Sequence, residues 1–162
     1  MNDYKDLNNT KYTEVSAYQL GKFQKLIAKL FQCCQERIQY QCDRFQLPDA
    51  EFRCLLLFGD ERYLTARSIA HKMNVVKSRV SKIIDGLIKK NLIQGIADPE
   101  DSRVKLLSLT SAGQKKLNEI KQFMQDVHGQ VLSQMAPDQR KTVLANLDIL
   151  EASMEAVKDM MV

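Results

Sequence analysis

The feature that most constrains this chain is residues 64–113, where two short helical patterns lead directly into two strand patterns. They read LTARSIAHKMNVVKSRVSKIIDGLIKKNLIQGIADPEDSRVKLLSLTSAG. Thr65 is a good N-cap for a helix over 66–73, because its hydroxyl can accept a hydrogen bond from the first turn. The Asn-Val pair at 74–75 then predicts a tight turn before a second helix over 76–90.

Two strands are predicted next, over residues 92–97 and 104–109. The run DPED at 98–101 supplies the turn chemistry between them. Thr110 then caps a further helix over 111–134. The pattern therefore predicts two short helices joined by a turn and closed by a β-hairpin.

The second helix of this unit is amphipathic. Its apolar stripe, at helical spacing, consists of Val76, Val80, Ile83, Ile84, Leu87 and Ile88. The opposite side holds Ser78, Ser81, Lys82 and Asp85, flanked by Lys77 and Arg79. Taken alone, a charged face favours an ordinary solvated helix. The short helix before it, the turn and the charge of the region favour a contact surface.

Positive charge is concentrated in the same part of the chain. Residues 62–105 hold ten Lys and Arg against four Asp and Glu, whereas the remainder holds fourteen against sixteen. A local excess of this kind is the electrostatic footprint of a surface that binds a phosphate backbone. The charge pattern therefore favours a nucleic-acid partner.

A helix with such a face fits the major groove of B-DNA and reads base edges near its N-terminus. Arg79 can bind guanine O6 and N7 in bidentate fashion, and Ser78 and Ser81 can contact phosphates or base edges. Lys77 and Lys82 suit phosphate contacts, which position a protein without reading sequence. The predicted DNA contacts of this unit are Thr65, Lys77, Ser78, Arg79, Ser81 and Lys82.

The loop of the hairpin carries Arg103 close to three acidic residues. Arginine suits a narrow minor groove, where the negative potential is enhanced. Asp101 can pair with Arg103 and fix its direction, so that the guanidinium reaches the groove. Read by itself, this loop is better described as a surface turn with an exposed ion pair. Beside the amphipathic helix, Asp101 and Arg103 become candidate DNA-binding residues.

Helical patterns flank the unit on both sides. One helix from Val15 to about Arg44 and another over 48–59 precede it, and a last helix starts at Pro137. The apolar seam of the last helix consists of Val143, Leu147, Leu150, Met154, Val157 and Met161. A long apolar stripe at the end of a small chain needs a partner. Both the first helix and a second copy of the chain fit that requirement.

Composition narrows the class of protein. The chain has 162 residues, 44% of them hydrophobic, with no Trp, six Gly and three Pro, which favours a helical globular protein. The first fourteen residues lack the apolar core of a signal peptide, and no apolar run could span a bilayer. We therefore expect a cytoplasmic protein with reduced cysteines. No enzyme signature is present, and no cofactor is expected.

The cysteines leave two readings open. They lie in the first two helical segments as Cys33, Cys34, Cys42 and Cys54. Cys34 falls on the apolar stripe of the first helix and is predicted to be core, whereas Cys33 is a candidate redox thiol. Because no basic residue immediately flanks Cys33 to lower its pKa, passive thiols are favoured. No C-x-x-C pair occurs and the two histidines are far apart, so no metal site is predicted.

Residues 64–113 resemble the MarR family of winged-helix transcription regulators. The matching pieces are LTARSIAHKMNV, VKSRVSKIIDGLIKKNLI, DPEDSRVKLLSLT and the following SAG. The D-x-R of Asp101 and Arg103, followed by the LT-x-x-G of Leu109, Thr110 and Gly113, carries most of the specificity. The sequence departs from many relatives at Val76, where they have a small hydroxyl residue that can contact phosphate.

The resemblance implies an obligate homodimer built from the N- and C-terminal helices, with a winged helix-turn-helix on each side. It also implies a pseudo-palindromic operator, usually bound by a repressor that releases DNA when a ligand or an oxidant arrives. By the same resemblance, the recognition helix enters the major groove and Arg103 enters the adjacent minor groove.

The predicted fold is therefore mainly α with a small β-hairpin wing: a winged helix-turn-helix with N- and C-terminal dimerisation helices. Residues 1–47 form an N-terminal arm and dimerisation helix, 48–110 the DNA-binding domain, and 111–162 the C-terminal helices that complete the dimerisation domain. The expected partners are double-stranded DNA, a second copy and a small aromatic or phenolic effector, and no membrane. The alternatives are a redox regulator using Cys33 or a neighbouring cysteine, and a winged helix used only for protein–protein contact.

Overall fold

The computed structural model describes residues 15–97 and 105–161, and in them the chain forms six helices and one two-stranded antiparallel sheet. The elements are α1 (Ala17–Phe45), α2 (Asp49–Leu57), α3 (Ala66–Met73), α4 (Lys77–Lys89), β1 (Ile93–Ala97), β2 (Lys105–Leu109), α5 (Ser111–Ser133) and α6 (Pro137–Asp159). The mainly α fold with a small hairpin is confirmed. Each helix lies close to the bounds that periodicity and capping predicted.

The turn between α3 and α4 follows from local chemistry. The Thr65 hydroxyl accepts from the Ser68 N–H at 3.1 Å, and the Thr65 N–H donates to the Ser68 hydroxyl at 3.0 Å, which forms a capping box. Asn74 ends α3 in the left-handed region at φ 51°, a conformation that Asn adopts more readily than most residues. The predicted cap and turn are therefore both confirmed.

The hairpin pairs with the segment before α3 as well as within itself. β1 and β2 pair antiparallel with Ile93 opposite Leu109. Leu64 forms an isolated bridge to Leu107, with backbone N···O distances of 3.0 and 2.7 Å. Leu64 thus attaches the segment before α3 to β2 through a single bridge. The turn predicted at 98–101 lies outside the described residues.

The core packs α2, α3, α4, the hairpin and the first half of α5 around one another. Its most deeply buried large side chains are Leu55, Leu64, Ile69, Leu87, Ile93, Leu117, Ile120 and Val80. Six of these eight residues lie on helices, and burial of a large aliphatic side chain contributes about 1.5–3 kcal/mol. The core therefore holds α4 by one face and leaves the other free.

The predicted apolar stripe of α4 is wrong at both ends. Val76 is 70% exposed and Ile88 is 37% exposed, whereas Val80, Ile83 and Leu87 are buried. Val76 is the N-cap in extended conformation, so it precedes the helix and its side chain does not project with the stripe, although its spacing fits. Its side chain makes no capping hydrogen bond, because valine has no acceptor.

The terminal helices expose apolar surface. No residue of α6 is buried within the single chain. The seam residues Leu147, Met154 and Val157 on α6 are exposed, as are Phe23 and Leu30 on α1. Met161, the last predicted seam residue, is also exposed but lies beyond the end of α6. Cys34 is also exposed, so the prediction that it belongs to the core is wrong for the protomer. The part of α1 that holds Cys34 is thus left uncovered by residues 15–97 and 105–161.

Candidate nucleic-acid interface

The outward face of α4 collects the candidate DNA contacts predicted on this helix. Lys77, Ser78, Arg79, Ser81 and Lys82 are all exposed and lie within the first two turns of the helix. Val80 and Ile83 between and after them are buried, which fixes the direction in which the polar residues project. The Ser81 hydroxyl donates to the Lys77 carbonyl at 3.3 Å, so it is turned back to its own helix in the free protein.

Thr65 has a different position from the other candidates. It is only partly exposed, and its hydroxyl oxygen accepts the capping hydrogen bond of α3. Thr65 therefore serves as the N-cap of α3. Its hydroxyl can still donate its proton to another acceptor, such as a phosphate. Asp101 and Arg103 lie outside the described residues, so their predicted minor-groove contact stays a prediction.

The base of the hairpin is tied to α5 by the LT-x-x-G motif. The Thr110 hydroxyl donates to the Asn91 carbonyl at 2.6 Å and accepts from the Gly113 N–H at 2.9 Å. The Thr110 N–H donates to the Leu92 carbonyl at 3.1 Å. A Cβ on Gly113 would collide with that Leu92 carbonyl, so only glycine lets α5 approach β1 this closely. The motif therefore acts as the attachment point of the wing.

Two lysines of the basic region are already paired within the protein. Lys72 on α3 lies 2.6 Å from Glu61, and Lys90 at the end of α4 lies 2.8 Å from Glu51. The exposed positive charge is thus weighted toward the N-terminal half of α4 and the outer side of α3, where Arg67 is exposed. Sequence reasoning missed Glu51, because it lies far from α4 along the chain.

The cysteines divide into an exposed and a buried pair. Cys33 and Cys34 are exposed on α1, whereas Cys42 and Cys54 are buried. Burial and the charge of Glu51 raise the pKa of the Cys54 thiol to about 12, and burial with nearby carboxylates raises the pKa of Cys42. Both buried thiols therefore stay protonated and unreactive at neutral pH.

The described part of the chain holds neither a cluster of metal ligands nor a membrane-spanning helix. Within residues 15–97 and 105–161, no group of three or more His, Cys, Asp or Glu side chains could hold a metal ion. No helix in these ranges combines the length and the apolarity needed to cross a membrane.

Two of the cavities outside the α4 face bear on function. One of about 300 Å³ is behind the wing and is lined by Phe58, Arg62, Tyr63, Gln94, Ile96, Ser108, Leu109 and Gln114. The other, a groove of about 520 Å³ between α1 and α6, is lined mainly by apolar side chains, among them Phe23, Ile27, Leu150, Met154 and Met161. The cavity behind the wing thus lies between the hairpin and the loop before α3, and the groove lies between the two terminal helices.

The chain was compared with protein families and with known proteins. Residues 47–105 match the model of the MarR family. The matched segment contains α2, the helix-turn-helix and the first hairpin strand. The chain is 20% identical to the HTH-type transcriptional regulator BilQ of Clostridioides difficile over 129 residues, which cover 77% of this chain and 87% of that protein.

Solved structures share the fold. The YusO protein of Bacillus subtilis is 27% identical with a TM-score of 0.71, covering 85% of this chain and 99% of that one. The S. aureus MepR–DNA complex is 20% identical with a TM-score of 0.66, covering 81% of this chain and 98% of that one. Residues 47–105 therefore carry a MarR-family domain, and the chain shares the mainly helical fold of these solved structures.

Proposed function

We propose that this protein is a sequence-specific double-stranded DNA-binding repressor that acts as a homodimer on a pseudo-palindromic operator. The observation that carries the proposal is the face of α4, where exposed polar and basic residues are backed by buried aliphatic ones. A helix held by one face and exposed by the other is the geometry that enters a major groove. The solved complex of a structural relative with DNA supports the same reading.

The side chains of α4 have different roles in this proposal. Arg79 reads a guanine through its bidentate donors, and Ser78 contacts a base edge or a phosphate. Lys77 and Lys82 contact phosphates and set the register of the helix on DNA. In the wing, Arg103 enters the minor groove with Asp101 fixing its direction, as the family resemblance implies.

Selection of DNA from a random pool tests the proposal directly. We expect a recurring pseudo-palindromic sequence and an affinity that falls steeply with salt. If about six to ten phosphates are contacted, affinity falls by about three to five decades between roughly 50 and 200 mM salt. A winged helix used only for protein–protein contact selects no sequence and shows weak, nearly salt-insensitive binding, which would contradict the proposal.

The homodimer is proposed from the exposed apolar faces of α1 and α6. These faces line a groove of about 520 Å³ whose walls are almost entirely apolar. Apolar surface of this extent on a protomer marks an interaction site, and a second copy brings the matching faces of its own α1 and α6. In this arrangement residues 1–47 and 111–162 form the dimerisation domain, and residues 48–110 form the DNA-binding domain.

Two matched variants of α6 test the dimer. Met154→Glu places a carboxylate in the groove and is expected to shift the protein to monomers in sedimentation experiments. Ile149→Glu is the control, because Ile149 is an exposed apolar residue on a different side of α6 from the seam. Equal dimerisation of wild type and Met154→Glu at micromolar concentration would contradict the proposed interface.

DNA release by a small aromatic or phenolic effector is the regulatory part of the proposal. The cavity of about 300 Å³ behind the wing supports it, because Phe58 and Tyr63 offer aromatic walls beside polar groups. Phenol should weaken operator binding by the wild type and do so less in Tyr63→Ala. If phenol releases the operator equally from the wild type and from Tyr63→Ala, this cavity is not the effector site.

A thiol-based regulator is the second candidate, favoured by the exposure of Cys33. In that case peroxide should release the operator from the wild type and leave it bound by Cys33→Ser. Cys34→Ser is the matched control, since it is exposed on the same helix. Insensitivity of the wild type to peroxide would dismiss this candidate.

A further inference from the structure

Glu51 is a nearly buried carboxylate that joins α2 to the far end of α4. Its Oε2 lies 2.8 Å from the Lys90 Nζ, and only 12% of the Glu51 side chain is exposed against 40% for Lys90. Lys90 is the C-cap of α4. The ion pair thus connects the first turn of α2 to the end of α4 opposite the candidate DNA contacts.

Gly86 makes room for this carboxylate. A Cβ at Gly86 would collide with the Oε1 and Cδ atoms of Glu51, which therefore occupy the space that a side chain on α4 would need. Gly86 has no left-handed φ, so space and not backbone conformation explains the glycine. Glu51 consequently contacts α4 at two points, by charge at Lys90 and by close approach of its carboxylate to Gly86.

A pair of this kind is poorly suited to stabilising the fold. The Glu51 carboxylate loses most of its hydration, which costs free energy that its attraction to a 40% exposed Lys90 only partly returns, so replacing both by apolar side chains is expected to be neutral or stabilising. The Glu51 Oε2 and Lys90 Nζ atoms lie 2.8 Å apart, but their angles do not meet the geometry of a hydrogen bond. The Oε2 atom is also inaccessible to solvent. A role in fixing orientation explains the pair better than a role in stability.

We infer that Glu51 is a positioning residue that sets the angle at which α4 presents Arg79, through its contacts with Lys90 and Gly86. The inference rests on the proposed function, in which α4 reads DNA. Arg79 lies seven residues from Gly86, which is about 10 Å along the helix axis. A tilt of roughly 10° about Gly86 therefore moves Arg79 by about 2 Å, whereas a binding constellation tolerates about 0.5 Å.

The test removes the ion pair without leaving a buried charge. The double variant Glu51→Met, Lys90→Met keeps side chains of similar length, and its thermal midpoint should equal or exceed that of the wild type. Its affinity for the selected operator should fall by about tenfold or more, the loss expected when one bidentate base contact is misplaced. Its affinity for random DNA should stay within about twofold, because phosphate contacts tolerate displacement better.

Three further variants separate positioning from structure. Lys90→Arg keeps the charge and should retain the operator-to-random affinity ratio. Gly86→Ala perturbs the same contact by shape alone and should lower that ratio. The control is Asp49→Met with Arg53→Met, which removes an exposed pair of the same charges at 4.0 Å on the outer side of α2 and should leave the ratio unchanged.

The outcomes distinguish the inference from the proposed function. If the wild type prefers the operator and the double variant keeps the full operator-to-random ratio, Glu51 does not position α4. If the double variant fails to fold, an unchanged ratio in Gly86→Ala leads to the same conclusion. If the wild type itself prefers no DNA sequence, the proposed function fails and the inference fails with it.

Discussion

Replacement of Gly113 by alanine tests how the wing is attached to the rest of the protein. Gly113 is buried in the first turn of α5, and a Cβ there would meet the Leu92 carbonyl oxygen, the Leu92 carbonyl carbon and the Leu109 side chain. The obstacle is backbone at the entry to β1, which cannot rotate away as the end of a side chain can. Alanine therefore has to push α5 and β1 apart.

The expected cost combines two terms. Overpacking in a closely packed site costs about 1–3 kcal/mol. Separating the elements also strains the Thr110 hydrogen bonds to Leu92 at 3.1 Å and to Asn91 at 2.6 Å, each worth about 1 kcal/mol. Alanine returns up to about 1 kcal/mol through its better helix propensity. We expect a net loss of about 2–4 kcal/mol in the free energy of unfolding.

Urea denaturation followed by circular dichroism measures this loss, at one fixed protein concentration because dimerisation shifts the midpoint. Gly129→Ala is the matched control in the same helix. No atom lies within 4 Å of a Cβ at Gly129, so alanine there should stabilise the protein by about 0.5–1 kcal/mol. A Gly113→Ala protein within about 0.5 kcal/mol of the wild type would refute the reasoning.

Four further predictions concern the interface and the thiols. Arg79→Ala should lower operator affinity by about 1–3 kcal/mol and relax specificity at one base position, measured by titration of operator variants; equal losses on random DNA would assign Arg79 to the backbone. Arg103→Ala should weaken operator binding while sedimentation still shows the dimer, and an unchanged affinity would contradict the wing contact. Val76→Ser should stabilise the protein by about 0.5–2 kcal/mol in urea denaturation, because it supplies the missing N-cap acceptor of α4; no gain would mean that this helix end needs no cap. Cys54 keeps its proton to about pH 12 when folded and loses it near its ordinary pKa of 9.0 when unfolded, so its contribution to stability should decline as pH rises between those values. Cys54→Ala should flatten that part of the stability profile, and an unaltered profile would show that other groups cause it.

Local patterns in the sequence were sufficient for the secondary structure. α3 occupies the predicted residues 66–73 because both of its ends are decided by neighbours, Thr65 with its capping hydroxyl and Asn74 in the left-handed region. The hairpin was predictable for the same reason, since two short strands flank a run of turn-forming residues. The exposed polar face of α4 also followed, because Val80 and Ile83 repeat at helical spacing.

The same local reasoning failed where a position depends on what packs over it. Val76 fits the periodicity of α4 but precedes the helix and is exposed. Cys34 lies on an apolar stripe, yet it is exposed in the part of the chain that the structure describes. Periodicity shows which residues share a face, but it does not show whether that face meets a core, a second copy or solvent.

The sequence by itself thus determined the helices, the turn, the hairpin and the residues that α4 offers to a partner, because each depends on interactions within a few residues. Only the tertiary structure decided how α4 and the wing are held. The contact of Glu51 with Gly86 and Lys90, and the approach of Leu92 to Gly113, join residues from separate elements. Such contacts depend on how close two backbones come, and that distance is set by the packing of the whole core.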